Sequence, residues 1–395
     1  MIKIEEKEKC CGCYSCVNSC PVKCIALVTD QEGFEYPVVD ETKCINCGLC
    51  EKNCPILQAK PGADTEPPAY AMMNKEEEVR LSSSSGGVFH AVAKEILKED
   101  GVVFGSALVE NGRTARHMWV EKEADLGLLR GSKYIQSFIG NTYTEAKEFL
   151  QAGRKVLFTG TPCQIEGLKA FLEKDYENLY CLDIICHGVP SPKVWSKYLD
   201  YREKKAKAKV KNANFRKKVY GWKGFSMYIE FENGKVYQRT FPEDIYMNVF
   251  LKDICLRPSC HKCEFKKWSE SSDITIADFW GVGRVAPKMD DDKGTSLALI
   301  NSPKGQELFK RMQSGLACVQ VDLKESLREN PQMLTSAPYN PNREAFFEDL
   351  EKIEFDRLAK KYAKPVLDHS PKAVIVRVLR RAGIYDKLRN RIKNG

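Results

Sequence analysis

The chain has no run of about 18 apolar residues, so nothing in it reads as a helix that crosses a membrane. Met1 to Lys9 is rich in charge and lacks the apolar core of a signal peptide. Histidine is scarce, with five in 395 residues, and His90, His117 and His369 fall in no pattern. A dinucleotide fingerprint that opens a helix is also missing. Gly281-Val282-Gly283-Arg284-Val285-Ala286 fits G-x-G-x-x-A, but Pro287 and the polar stretch Met289 to Gly294 provide no helix to receive a pyrophosphate. Those glycines read as a turn able to approach a ligand closely, and a Rossmann NAD site is rejected. The formal charge of +8 is concentrated in the tail, where Pro371 to Gly395 holds eight basic residues and one acidic residue, Asp386. The other 370 residues sit near neutrality, which argues against a nucleic-acid-binding body.

What the chain has in quantity is cysteine, 17 in all, ten of them within the first 60 residues. The length leaves room for two or three domains with a sizeable core, so the cysteines are not needed as disulfide staples. One pattern is written twice: Cys10, Cys13, Cys16, Cys20-Pro21, then Cys44, Cys47, Cys50, Cys54-Pro55. The spacing C-x2-C-x2-C-x3-C-P lets three thiolates wrap one iron–sulfur cubane while the fourth reaches the other. Cluster one is therefore assigned to Cys10, Cys13, Cys16 and Cys54, and cluster two to Cys44, Cys47, Cys50 and Cys20. Zinc is the competing ion, but it takes two C-x2-C pairs and has no use for a third cysteine followed by Cys-Pro. Cys11 and Cys24 fall outside the pattern and read as small packed residues. Reduced thiols with oxygen-sensitive clusters point to the cytoplasm.

Beyond this module, Gln58 to Pro68 is rich in proline, glycine and polar residues and reads as a linker. Ser82 to Gly87 leads into Val88 to Leu97, whose apolar residues recur at helical spacing. Serines and glycines before a helix leave free N–H groups that suit a phosphate, or serve equally as a cap and tight turn. Gly101 to Leu108 has the apolar run of a buried strand, and Arg130 to Ser137 reads as a polar loop. Lys155 to Phe158 and Tyr180 to Ile185 are strands, ending in Thr159-Gly160-Thr161-Pro162-Cys163 and Cys186-His187-Gly188-Val189-Pro190. Helices follow from about Gln164 and Lys193. Repeated strand, loop and helix imply a parallel sheet whose ligands gather at the carboxyl ends of the strands. Ser226 to Phe231 and Lys235 to Phe241, with Asn233-Gly234 between, form a hairpin, Glu243 to Lys252 is helical, and Ile274 to Phe279 is a strand.

Cys163 and Cys186 at strand ends, with Cys255, Cys260 and Cys263 in a nine-residue knuckle, supply enough thiols for a third four-thiolate site. His187 and His261 beside them read as hydrogen-bonding neighbours rather than ligands. Cys181 and Cys318 read as lone buried thiols.

The segments SSSSGGVF, GSKYIQS, KVLFTGTPCQIEGL, LDIICHGVPSPKVW, FRKKVYGWKGFS, LRPSCHKCEF and DITIADFWGVG, in this order behind the doubled cysteine pattern, resemble the coenzyme F420 hydrogenase/dehydrogenase beta-subunit family. The likeness runs from about Cys10 to Ser302 and points to its bacterial members with a fused two-cluster ferredoxin module, some of them associated with polysaccharide biosynthesis. It implies an α+β multidomain chain: a small 2x[4Fe-4S] ferredoxin-like domain (1–60), a linker (61–69), a larger α/β flavin and iron–sulfur domain (70–365) and a basic tail (366–395). It implies an FAD-dependent iron–sulfur oxidoreductase whose third [4Fe-4S] cluster is held by Cys163, Cys186, Cys260 and Cys263, with Cys255 in reserve. FAD would be held near Ser84, Ser85, Gly86 and Gly87, by Lys133, Tyr134, Gln136 and Ser137, and by Gly160, Thr161 and Pro162. Lys133 would act on the reduced ring. The implied route joins a small-molecule hydride donor or acceptor, with coenzyme F420 as one candidate, through FAD and three clusters to a redox partner protein or ferredoxin. A non-catalytic carrier, ferredoxin plus scaffold, is the competing class. In the tail, Val374, Val378, Leu379, Ile384, Leu388 and Ile392 place apolar faces among the basic residues, which suits peripheral contact with an anionic membrane, a partner, or the domain itself.

Overall fold

The structure is a computed structural model that describes residues 1–58 and 65–365, with Ser370, 374–376 and 378–379 besides. The middle of the expected linker and most of the basic tail lie outside the described residues.

The first 58 residues form a ferredoxin-like unit. Strand β1 (Ile25–Thr29) pairs antiparallel with β2 (Glu35–Val39). A four-residue helical turn carries the third cysteine of each triplet, Cys16 in Ser15–Asn18 and Cys50 in Leu49–Lys52. The two repeats share a backbone as well as a spacing: Gly12 and Asn46 are left-handed, and so are Tyr14 and Gly48. Left-handed residues at equivalent places turn each loop around its thiols.

The larger domain is a layered α/β structure. Its strands are β3 (Ala69–Asn74), β4 (Val102–Val109), β5 (Thr114–Val120), β6 (Val156–Gly160), β7 (Leu179–Ile184), β8 (Val210–Lys217), β9 (Ser226–Phe231), β10 (Val236–Thr240), β11 (Ile274–Asp278), β12 (Ser296–Ile300) and β13 (Leu316–Val321). Eight of them make one sheet in the order β13-β3-β12-β11-β7-β6-β4-β5, and β10-β9-β8 form a separate antiparallel sheet. The expected parallel pairing is limited to the centre, where β4, β6, β7 and β11 run together; β12, β3, β13 and β5 pair antiparallel around them. The reason lies in the connections. Crossover helices follow β6 and β7, whereas a short turn joins β4 to β5 and reverses the chain.

Both faces of the sheet are covered, which explains its unbroken apolar strands. Val103, Leu157 and Leu182 pack under the helices Val88–Leu97 and Pro303–Met312. Their neighbours Val102, Phe104, Val156 and Phe158 point the other way, under Thr142–Gln151 and Pro162–Leu172. A further core centres on Trp195, Tyr198, Phe215 and Tyr246. Gly281 is left-handed, as its turn role requires, and one turn of helix follows at Val282–Val285, too short for a dinucleotide site.

The two domains are clamped together. Arg343, 4% exposed, grips the hairpin carboxylate Glu32 through both its terminal nitrogens and also donates to the Leu256 carbonyl. Lys193 donates to the Gln31 carbonyl at 2.8 Å. Gly33, at φ +89°, turns the hairpin so tightly over the helix Pro192–Ala206 that a Cβ would lie 2.3 Å from Lys193 Cβ.

Candidate functional site

The first thiol group comprises Cys10, Cys13, Cys16 and Cys54. Cys16 lies within electrostatic reach of Cys10 and Cys54, and burial holds its thiol up at about 12. Cys20, Cys44, Cys47 and Cys50 line a second hollow, together with Cys24, Met1 and Ile45. Cys24 stands 3.4 Å from Cys20, sulfur to sulfur. Cys16 also feels Cys50, so the two groups adjoin. Cys20 thus lies with the second cysteine triplet, and Cys54 near Cys16 and Cys10.

A third hollow opens at the carboxyl ends of β6 and β7. Cys163, Cys186, Cys260 and Cys263 line it, while Cys255 is fully buried in the apolar core beside it. Cys163 is set by the helix Pro162–Leu172, whose start combines Pro162 with a capping box between Thr161 and Gln164. The Val189 N–H donates to Cys260 Sγ at 3.4 Å, and Lys266 bridges the Cys186 and Gln332 carbonyls at 2.7 and 2.8 Å. Burial pushes the Cys186 thiol up and the Cys260 thiol to about 12. Such buried thiols ionise only against a bound cation or metal. Among the described residues no three His, Cys, Asp or Glu side chains are gathered to hold a single metal ion. The sulfurs ring hollows, and all-thiol donor sets around hollows fit cubanes better than a tetrahedral zinc with bonds of about 2.3 Å.

The first and third groups meet. The Cys11 thiol lies within hydrogen-bonding reach of both Cys13 and Cys163 and lines the third hollow. The three groups therefore form a row, from the third hollow through Cys13 and Cys16 to the second hollow, where Cys47 and Ile45 are exposed.

The residues expected to hold a flavin fall into two clusters. In one, Ser84 Oγ accepts from the Ser132 N–H at 2.7 Å, and Arg216 donates to the Tyr134 hydroxyl at 3.0 Å and to Asp278 at 2.7 Å. Ser85 and Gly86 are tied down by Lys218 and Ser296. A Cβ on Gly86 would meet the Met72 carbonyl at 2.3 Å, so this glycine serves packing against β3. The helix Val88–Leu97 begins at left-handed Gly87 with no side-chain cap, leaving its first N–H groups without a side-chain partner. In the other cluster, Lys133 donates to the Leu128, Leu129 and Arg130 carbonyls, and burial lowers it to about 7. His117 joins Ser137 Oγ at 2.9 Å to the Thr159 carbonyl at 3.0 Å, which places the proton on Nε2 and brings Ser137 beside Gly160. Arg130 Nε, Arg216 Nε and Ser106 Oγ are buried here without a hydrogen-bond partner. Gln136 departs from the group. It is buried between the domains, accepting from Arg257 at 3.0 Å and donating to the Cys11 carbonyl at 3.4 Å.

Sequence reasoning missed Arg216, Asp278, Lys218, His117 and Arg257. Four of these five fall within FRKKVYGWKGFS, LRPSCHKCEF and DITIADFWGVG, segments that carry the resemblance without giving these residues roles. Nothing local marks a charge that becomes buried only through long-range contacts.

Doubled cubane loops and a thiol-ringed third hollow define an iron–sulfur protein, and residues 9–56 match the model of a 4Fe-4S dicluster domain. Residues 153–324 match the model of the C terminus of the coenzyme F420 hydrogenase/dehydrogenase beta subunit. Residues 153–324 are thus similar to the C-terminal domain of that subunit, and a dicluster domain stands in front of them. The solved F420-reducing [NiFe] hydrogenase complex from Methanosarcina barkeri, a xenon derivative, is similar at 16% identity over 76% of this chain and 94% of that one, with a TM-score of 0.46. A likeness at that level assigns no residue a role. No curated protein matches. Among the described residues no helix is long and apolar enough to cross a membrane.

Proposed function

We propose that this protein is an FAD-dependent iron–sulfur oxidoreductase that exchanges electrons between a hydride donor or acceptor and a redox partner protein. The observation that carries this is the meeting of Cys163, Cys186, Cys260 and Cys263 around one hollow, with Cys11 joining it to the Cys13 group. A wire confined to the ferredoxin unit would have no use for that hollow. When bound, flavin supplies the exchange between hydride and single-electron chemistry, and cubanes carry single electrons.

The chain's residues bind and orient. The uncapped start of Val88–Leu97 suits the pyrophosphate, and Ser84, Tyr134, Ser137 and Gly160 to Pro162 are the residues assigned to the rest of the flavin. Lys133, pinned by three carbonyls, is placed to offset negative charge on a reduced ring. The exposed face around Cys47 and Ile45 is where a partner protein would exchange electrons. Coenzyme F420 is the family's named substrate and the first to test.

Anaerobic reconstitution of the full chain, with iron and flavin counted per chain, tests the proposal. The expectation is about twelve irons and one FAD. About eight irons without flavin would instead establish a carrier. Failure of the deazaflavin to reduce a loaded protein removes that substrate and leaves the oxidoreductase.

A further inference from the structure

The two cysteine loops of the ferredoxin unit share a backbone but stand in different electrical settings. Around the second loop the ligand sulfurs meet neutral backbone donors, the Ile2 N–H at Cys50 and the Cys24 N–H at Cys20, both at 3.3 Å; Cys47 faces solvent, and the cation near Cys44 and Cys50 is the solvent-accessible Met1 ammonium, which Glu51 already pairs. Against the first loop lies Arg257, which is 0% exposed. Its Nε donates to the Cys10 carbonyl at 2.8 Å, and its terminal nitrogens reach Gln136 Oε1 at 3.0 Å, the Glu35 carbonyl at 2.9 Å and Cys10 Sγ at 3.5 Å. Tyr36 and Phe34 present ring faces at 4.4 and 5.4 Å. No carboxylate is among these partners, and that of Glu35 is engaged by the Tyr14 hydroxyl.

A fully buried guanidinium with no anion is a costly arrangement, because carbonyl dipoles and ring faces replace only part of its hydration. The anion within reach is the thiolate of Cys10. Gly12 makes the approach possible: it is left-handed at φ +68°, and a Cβ there would lie 2.8 Å from Arg257 Nη1. Its counterpart in the second loop, Asn46, is left-handed too, and among the described residues no lysine or arginine lines the hollow there. The knuckle explains the placement of Arg257, since its N–H is held by the Val189 carbonyl and its own carbonyl receives the Cys260 N–H.

We infer that Arg257 is the resident counter-charge of the cluster held by Cys10, Cys13, Cys16 and Cys54, and that it keeps this cluster easier to reduce than the one held by Cys20, Cys44, Cys47 and Cys50. The inference rests on the proposed iron–sulfur reading. Adding one electron to a cubane makes it more negative by one charge without breaking a bond, and a cation fixed in a poorly polarisable setting favours the more negative state. An electron entering at the exposed second cluster would then rest on the first, next to the third hollow, so the wire is biased inward.

The test is an anaerobic redox titration followed by electron paramagnetic resonance, on full-length reconstituted protein, with the first cluster identified by its loss in Cys16→Ser. Arg257→Gln removes the charge and is expected to make the first cluster at least tenfold harder to reduce, about 59 mV for one electron, with the second cluster unmoved. Arg257→Lys should stay closer to the parent protein. Gln136→Glu leaves Arg257 in place and puts an anion on its hydrogen-bond partner, so it should shift the first cluster the same way even if Arg257→Gln fails to fold. Unmoved first-cluster potentials in Gln136→Glu, or equal shifts of both clusters, would overturn the inference. Iron content and cubane signals in the parent protein decide the underlying reading separately, and their absence would remove both.

Discussion

Gly167 stands directly against Cys13: a Cβ on this glycine would lie 2.8 Å from Cys13 Cβ and 3.1 Å from its sulfur. The glycine is on the helix that begins beside Cys163, so its missing side chain is what lets the ferredoxin unit settle onto the third hollow. Gly167→Val should cost about 1–3 kcal/mol through overpacking and slow electron transfer between the two domains. Thermal unfolding and stopped-flow reduction would read these, and an unchanged midpoint would show that the contact yields freely.

Cys11 touches two thiol groups yet belongs to neither set of four. Cys11→Ala should keep the full complement of about twelve irons, whereas Cys163→Ser should lose about four. Iron analysis on matched reconstitutions separates the two, and loss of iron in Cys11→Ala would make it a ligand.

The Arg343–Glu32 pair should hold the domains in register. Arg343→Ala leaves a carboxylate uncompensated at a largely buried interface, with a cost on the order of 3–5 kcal/mol. Equilibrium denaturation should show it, with the ferredoxin unit more open to protease. Glu32→Gln should cost less, since Arg343 keeps the Leu256 carbonyl.

His117 makes one window of stability depend on pH. Burial lowers its pKa to about 4, from 6.5 in an unfolded chain. Between those values the unfolded state takes up a proton that the folded state refuses, so stability falls as pH drops from 6.5 towards 4, by on the order of 3 kcal/mol at most. Asp183, raised to about 7, slopes the other way over an overlapping range. The comparison must therefore be parent minus His117→Gln, whose difference in unfolding midpoint should shrink as the pH is lowered. A difference independent of pH would mean that His117 is not buried neutral.

Much of the local structure was legible in the sequence. Val88–Leu97 stands where its apolar spacing puts it, and β7 and β9 lie within a residue of expectation, because each strand or helix has a periodicity of its own. The mixed character of the sheet was less legible, since β3, β12 and β13 are short apolar runs that carry no mark of direction. Gln136 shows a further limit: Tyr134 meets Arg216 and Ser137 meets His117, while Gln136 turns to Arg257 and the Cys11 carbonyl, and the motif alone does not say so.

By itself the sequence determined the thiols of the ferredoxin unit, because a doubled spacing closes two cages through local turns, and it supplied the candidates for a third. The resemblance named four cysteines for that third site, and the tertiary structure gathers Cys163, Cys186, Cys260 and Cys263 around one hollow with Cys255 in the core; tertiary structure alone decided that Cys11 and Gly167 bring two thiol groups together. It alone decided that Arg257, more than 240 residues from Cys10, is buried against it. Contacts so far apart in the chain depend on how sheets and helices stack, and burial rather than residue type makes such a charge strong.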